Sequence, residues 1–238
     1  MTVAAPPPRP VTKSATGAAA SADGSRVRCG QGRVGYAAVS EWNYANVWEV
    51  VAEVLPDAPA LVHGDLHRTW SAFDRRADAL AAWLLGRGIG PGDTVAQYLY
   101  SCPEYLESVF AAFKLGLPPV NTNYRYAPDE LAYLWDNGDC GAVVFHGEFS
   151  ERVAAVRARV PKVRAWLWLD DGSGPCPEWA TPFASAVAEH SGGRVVAPWG
   201  RSPDDLYLVY TGGTQNGGVD QVGIAWVNGD RDVVIALA

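Results

Sequence analysis

Residues 206–214 read LYLVYTGGT, an apolar run that ends in a cluster of hydroxyl and glycine residues. Residues 205–210 predict a strand, and the residues after Tyr210 predict a loop. Glycine lets a backbone approach a phosphate closely, and hydroxyl groups add hydrogen-bond donors for its oxygens. The candidate phosphate-binding residues are therefore Thr211, Gly212, Gly213 and Thr214. The loop is not a Walker A motif, because no Gly-Lys-Ser/Thr follows, and taken alone it also fits an ordinary strand-end turn.

Helical and extended patterns alternate through the chain before this stretch. Helices are predicted over residues 46–55, 71–85, 103–113, 128–135, 149–160 and 182–190. Strands are predicted over 60–63, 67–70, 94–100, 141–145, 164–169 and 205–210, with a further extended piece from 120. This alternation implies right-handed crossovers and a mostly parallel sheet with helices on its faces. The predicted fold class is therefore α/β.

Several local patterns have a structural interpretation. In the first helix Val47, Val50, Val51 and Val54 fall on one face, which we expect to pack on the core. Ser71 and Asp74 indicate the start of the second helix, and the Arg75–Arg76 pair is expected on a solvated face.

Other residues could be mistaken for a reactive or metal site. His63 and His67 flank Gly64 and Asp65, so a solvated hairpin is favoured over a metal pair. Cys102 has no histidine pattern near it that would mark a nucleophile. We predict no catalytic residue and no metal ligand in this chain.

Two further pairs of residues carry expectations. The alternation of Trp166 and Trp168 predicts a strand face that packs on helices. Tyr124 and Arg125 fit either a substrate or nucleotide cleft or packing beneath the sheet.

Composition limits the class of protein. The 238 residues carry a formal charge of -7, which argues against nucleic acid as a partner. The cysteines form no C-x-x-C pair, so free thiols in a reducing cytoplasm are expected. No apolar run approaches the ~20 residues that a membrane-spanning helix needs. Residues 1–40, rich in Pro, Ala, Gly and Ser, are predicted to be a disordered extension.

Six segments in order carry a family resemblance. They are Pro59–Gly64, Trp70–Leu80, Gly90–Ala96, Tyr100–Tyr105, Pro119–Leu131 and Ser202–Thr214. Together they resemble the adenylate-forming (AMP-dependent synthetase/ligase) superfamily, and within it the fatty acyl-CoA synthetases. The resemblance spans residues 41–214 and implies the N-terminal part of the large adenylation domain, truncated relative to the family.

The resemblance stops inside the candidate loop. The family loop reads Tyr/Phe-Thr-Ser/Gly-Gly-Ser/Thr-Thr-Gly-x-Pro-Lys-Gly and binds the ATP phosphates. Thr211–Thr214 match it, but Gln215–Val219 stand where Thr, Gly, a variable residue, Pro and Lys are expected. Residues 215–238 therefore form a divergent tail of the kind that a shift of reading frame would leave. The family's adenine, ribose and Mg²⁺ segments and its small C-terminal domain have no counterpart in this sequence.

The resemblance implies a ligase that uses ATP, Mg²⁺ and CoA to convert a fatty-acid type carboxylate to its thioester through an acyl-adenylate. Because the loop lysine is missing, we expect this chain itself to hold no functional cofactor and to be inactive. The alternatives are a non-catalytic binding or dimerisation module derived from the family, and a fragment of another adenylating enzyme. Acyl chain length, a steroid-type substrate and the oligomeric state are not encoded in any pattern recognised here.

Overall fold

The computed structural model describes residues 42–189, 192–212 and 222–225. Six α-helices span α1 Tyr44–Val54, α2 Trp70–Gly86, α3 Pro103–Lys114, α4 Pro128–Asn137, α5 Ser150–Val156 and α6 Phe183–Ala188. The strands are β1 Pro59–His63, β2 Leu66–Thr69, β3 Thr94–Tyr98, β4 Pro119–Asn121, β5 Cys140–His146, β6 Ala165–Leu169, β7 Thr181–Pro182, β8 Leu208–Gly212 and β9 Val222–Ala225. The predicted extension over residues 1–40 lies outside the described residues.

The main sheet has the strand order β7-β6-β5-β3-β4-β8-β9. Neighbouring strands are parallel from β7 to β8, whereas β9 runs antiparallel to β8. Helices lie on both faces, as the alternation of elements predicts, so the α/β fold class is confirmed. The described part of the chain is a partial N-terminal domain. Among the described residues, no helix is long and apolar enough to cross a membrane.

Apolar side chains project from both faces of the sheet and form two hydrophobic cores. Val95 and Val144 pack with α2, α3 and α6, while Ala96 and Phe145 pack with α4 and α5. Trp166 and Trp168 both lie in the second core, and the Trp166 ring is 5.8 Å from that of Trp135 on α4. The prediction that they pack a strand face against helices is confirmed.

The β1–β2 hairpin matches its sequence signal. Gly64 has a φ of 58°, the left-handed conformation that a tight two-residue turn requires. His63 and His67 are both exposed, as a solvated hairpin predicts. The helix after the hairpin begins one residue before the predicted Ser71, because the Thr69 hydroxyl accepts the Ala72 N–H and caps it.

The orientation of α1 contradicts the sequence-based prediction. Val47, Val50 and Val54 are exposed, and the residues that α1 buries are Ala45, Glu49 and Ala52. The predicted apolar face therefore points away from the core. The reason is an ion-pair cluster beneath α1 that requires Glu49 on the inner side.

That cluster centres on Lys114, the last residue of α3, which is fully buried. Its Nζ lies 2.9 Å from a carboxylate oxygen of Glu49, 2.8 Å from one of Asp74 and 2.9 Å from one of Asp78. Arg201 adds two bonds of 2.8 Å to Glu49. Asp74 is thus an ion-pair partner and not a helix cap, although the predicted helix start at Ser71 is confirmed to within one residue.

Burial and pairing act in opposite directions on these carboxyls. Burial raises the pKa of Asp78, and the Val195 N–H and Lys114 offset this only in part. Burial also acts to raise the pKa of Glu49, but the hydrogen bond from Arg201 and the charge of Lys114 outweigh it and lower the pKa. The cluster therefore holds Glu49 in its ionised form more firmly than Asp78.

A second ion cluster joins α2 and the hairpin to α3. Nε of Arg68 and Nε of Arg76 lie 2.8 Å and 2.7 Å from the buried Glu107 carboxylate. The expectation of a solvated face at Arg75–Arg76 was therefore wrong for Arg76. Its partner lies 31 residues away in the sequence, on another helix.

Replacing Lys114 with Met should destabilise the fold by about 3–5 kcal/mol, because three buried carboxylates lose their shared cation. Urea unfolding measures the change. Lys162→Met is the matched control, since Lys162 is 46% exposed beside Asp136 and Asp139 and its loss should cost under about 1 kcal/mol. Adding Asp78→Asn to Lys114→Met should restore part of the lost stability. Equal unfolding free energies for Lys114→Met and the parent would contradict this role.

Candidate functional site

The carboxyl edge of the parallel strands is where an α/β sheet of this kind binds ligands. From β3 the chain crosses to β4 on one side, then returns past β3 to β5 on the other. The segments that follow β3 and β5 therefore diverge and leave a crevice between them. We take this edge, from β5 across β3 and β4 to β8, as the candidate site.

At the crevice, the end of β5 holds the segment that follows β3. Nδ1 of His146 accepts the Tyr100 N–H at 3.1 Å. His146 is buried, and burial lowers its pKa, against the opposing effect of Asp171. The imidazole is therefore held neutral, as an acceptor at Nδ1 must be.

Exposed tyrosines form the rim of the crevice. The rings of Tyr100 and Tyr124 are 4.9 Å apart, and each residue is 38% exposed. Nη1 of Arg152 donates to the Tyr124 carbonyl at 2.9 Å and to the Tyr98 hydroxyl at 3.2 Å. The Arg125 guanidinium lies 5.3 Å from the Tyr124 ring. Tyr124 and Arg125 are both exposed, so packing beneath the sheet is wrong, and the cleft interpretation stays a prediction.

Hydrogen bonds between side chains position β8 beside β4. The Tyr105 hydroxyl on α3 donates to Asn121 Oδ1 at 2.9 Å and also contacts the Tyr207 hydroxyl. Farther along, Asn137 Nδ2 donates to the Tyr210 hydroxyl at 3.1 Å. Burial raises the pKa of Tyr105, Tyr207 and Tyr210, so these phenols stay protonated and neutral.

The predicted phosphate-binding residues are described only in part. The backbone of Thr211 and Gly212 continues β8 two residues beyond the predicted end at Tyr210. Thr211 pairs with Gly223 and Gly212 pairs with Val222 on β9. Gly213 and Thr214 lie outside the described residues, so the phosphate loop stays a prediction.

The strand before this loop begins later than predicted. Residues 202–205 form a turn in which the Asp205 carboxylate accepts the Ser202 N–H at 2.6 Å. The Asp204 N–H also donates to the Ser202 hydroxyl at 3.1 Å. These local side-chain hydrogen bonds compete with the backbone hydrogen bonds of the sheet. The strand β8 therefore starts only at Leu208.

Two residues at this edge were missed by the sequence analysis. His146 and Arg152 belong to segments that were assigned only as a strand end and a helix. A polar residue directly after a buried strand, such as His146, is the signal that could have found the first. Arg152 carries no comparable signal, because its partners on β3 and after β4 are distant in sequence.

Cys102 is not an activated thiol. It precedes α3 and is half-buried, and burial raises its pKa to about 11. Over residues 42–189 and 192–212, no group of three His, Cys, Asp or Glu side chains is placed to hold a metal ion.

Gly147 closes the turn that follows β5. A Cβ at this position would lie 2.7 Å from Asp171 Oδ1, 2.8 Å from Ser173 Oγ and 3.0 Å from Trp168 Nε1. The turn thus depends on a residue without a side chain.

Gly147→Ala should therefore destabilise the protein by about 1–3 kcal/mol, because the methyl group displaces the Asp171 loop. Thermal unfolding is the measurement. Gly174→Ala is the control, since a Cβ there meets no atom within 4 Å. Equal melting temperatures for the two variants would show that the close approach at Gly147 does not contribute to stability.

The comparisons with known proteins agree with this fold. The AMP-binding enzyme family matches residues 48–215. The medium/long-chain-fatty-acid–CoA/3-oxocholest-4-en-26-oate–CoA ligase of Mycobacterium marinum is 36% identical over 176 residues, which cover 72% of this chain and 32% of that protein. The 3-oxocholest-4-en-26-oate–CoA ligase of Rhodococcus rhodochrous is 33% identical over 174 residues, with 72% and 31% covered. The chain thus spans about a third of the length of these curated relatives.

Solved structures share the fold. An anthranilate CoA ligase in complex with anthranoyl-AMP superposes with a TM-score of 0.66 at 22% identity, over 76% of this chain and 35% of that one. A fatty acyl CoA synthetase of Mycobacterium tuberculosis gives 0.61 at 22% identity, over 76% and 34%. With the family match over residues 48–215, these likenesses lead to one conclusion: the chain belongs to the AMP-binding enzyme family.

Proposed function

We propose that this chain is the N-terminal part of an ATP-dependent fatty acyl-CoA synthetase, which adenylates a carboxylate and then forms the CoA thioester. The observation that supports this most is the identity to fatty-acid and cholestenoate CoA ligases over about 175 residues. Adenylation suits this chemistry, because a carboxylate is a poor acceptor and AMP is a good leaving group for thiol attack.

The substrate is proposed as a fatty-acid type or steroid-type carboxylate. The relatives carry both kinds in their names, namely medium and long fatty acids and 3-oxocholest-4-en-26-oate. In the described part of the chain, the exposed Tyr124 and Arg125 supply an aromatic face and a cation beside the crevice. We propose that they line the cleft for substrate or nucleotide.

We further propose that this chain alone does not adenylate. The lysine that would offset phosphate charge in the family is replaced by Val219. The backbone of Thr211 and Gly212 is paired with β9, which leaves fewer of its N–H groups for a phosphate. The described residues also place no carboxylate cluster for Mg²⁺. We therefore propose that the described residues do not by themselves hold ATP, Mg²⁺ or CoA.

A second candidate is a non-catalytic module derived from the family, and it is favoured by the pairing of β9 with the end of β8, which gives residues 222–225 a place in the folded sheet. Such a module would bind AMP or a fatty acid without turnover. Calorimetry with AMP and with a fatty acid separates the two candidates. If the chain is only the inactive N-terminal part of a synthetase, neither ligand should give heat of binding. A cytoplasmic location is also proposed, because Cys102, Cys140 and Cys176 are free thiols.

The inactivity is tested by pyrophosphate release with ATP, CoA and either palmitate or 3-oxocholest-4-en-26-oate. The purified chain should show no release above a protein-free blank. A chimera that joins residues 1–212 to the loop and downstream region of the Mycobacterium marinum ligase should release pyrophosphate. The same chimera with its loop lysine changed to Ala is the control and should lose most of the rate. Turnover by the parent chain, or an inactive but folded chimera, would refute the proposal.

The origin of residues 215–238 is tested by the nucleotide sequence beyond the Thr214 codon. If the tail results from a shift of reading frame, another frame there should encode Thr-Gly-x-Pro-Lys-Gly. Absence of that motif from every frame would make the altered loop genuine and would favour the module.

A further inference from the structure

One face of α1 presents apolar side chains to solvent. Val47, Val50 and Val54 lie along it, and Val54 is 70% exposed. Trp42 before the helix and Leu55 after it are also exposed. A helix normally turns such a face toward protein, so this surface is suited to a covering segment.

An apolar segment of the same chain lies outside the described residues. Residues 226–238 read WVNGDRDVVIALA, and all of the last six are apolar. We propose that Val233–Ala238 packs on the exposed face of α1, over Val47, Val50 and Val54. The chemistry is the burial of aliphatic side chains on both partners.

The direction of β9 leads from Ala225 toward the end of the sheet where α1 begins. Ala225, the last residue of β9, pairs with Val209, and the two strands are antiparallel. The chain that leaves Ala225 therefore heads back toward the amino end of β8. Just before that end, Asp205 accepts a hydrogen bond of 3.1 Å from Asn43 Nδ2, and Asn43 is the N-cap of α1. The described chain thus leaves Ala225 in the direction of the first turn of the helix.

The length of the segment also favours this occupant. The thirteen residues after Ala225 can span up to about 43 Å, which is ample to reach and follow the helix. Six extended residues cover about 20 Å, against about 16 Å for the eleven residues of α1.

A second copy of the chain is the less favoured occupant. One short helix face offers less than the roughly 800 Å² per partner that stable interfaces bury. A segment of the same chain is already tethered, so its docking costs only the entropy of closing the loop, which is small for a loop of this size. The contact requires only apolar surface and tethering, so it holds whichever origin residues 215–238 have.

The test places a photo-crosslinking amino acid at Val54 of the full chain. Mass spectrometry should locate the crosslink within the same chain, in the peptide that contains Val233–Ala238. The control carries the same group at Val62, which is 62% exposed on the hairpin and should give no crosslink to that peptide. Crosslinked dimers, crosslinks to other peptides, or none at all from position 54 would each overturn the proposal.

A tail variant gives a second test without touching the described fold. Val233→Ser, Val234→Ser and Ile235→Ser together should lower the crosslinked fraction from position 54 by roughly tenfold or more, since each aliphatic side chain kept from water contributes about that factor. Circular dichroism should show unchanged helix content. An unchanged crosslinked fraction would refute the contact.

Discussion

A single buried ammonium, that of Lys114, determines how four segments of this protein meet. Carboxylates from α1 and α2 surround it, and Arg201 closes the cluster from the segment before β8. Burial of an unpaired ammonium is strongly unfavourable, so carboxylates of α1 and α2 have to face Lys114 when the helices pack. The requirement extends to the helix end, where the last carbonyls of α3 also need donors.

Those donors come from the same segments. The Phe113 carbonyl accepts from Asn43, the Lys114 carbonyl from Arg201, and the Leu115 carbonyl from Trp199. The chain can turn here because Gly116 has a φ of 64°.

The turn also brings the backbone of Gly116 close to the segment before β8. A Cβ at Gly116 would lie 2.6 Å from the Gly200 carbonyl oxygen. This packing at the amino end of the sheet directs β8 alongside β4. The start of β8 is therefore placed in part by charges at the amino end of the sheet, away from Thr211 and Gly212.

Periodicity was sufficient to predict the six helices, most of the strands and the mostly parallel sheet, because burial of apolar faces dominates there. It failed where charge pairing between distant elements prevailed. The valines of α1 are the clearest case, since the helix is rotated to bring Glu49 to Lys114, 65 residues away. Arg76 and Asp74 were misjudged for the same reason. Local pattern cannot reveal a partner on another helix.

At the site, the sequence could indicate the strand that leads into the candidate loop, and it could offer Tyr124 as a cleft candidate. It could not indicate the hydrogen bond between His146 and Tyr100, which arises only when β5 lies beside β3. Nor could it reveal β9, because residues 222–225 carry no clear strand pattern. Whether Gly213 and Thr214 cradle a phosphate stays a prediction, since they lie outside the described residues.

We propose that this chain has the scaffold of an AMP-binding enzyme without a working phosphate site. Titration of the purified chain with Mg·ATP in a calorimeter distinguishes the two possibilities, a working phosphate site or none. We expect no saturable heat, because the loop lacks its lysine and the backbone of Thr211 and Gly212 is paired with β9. Saturable one-to-one binding in the micromolar range would contradict this proposal.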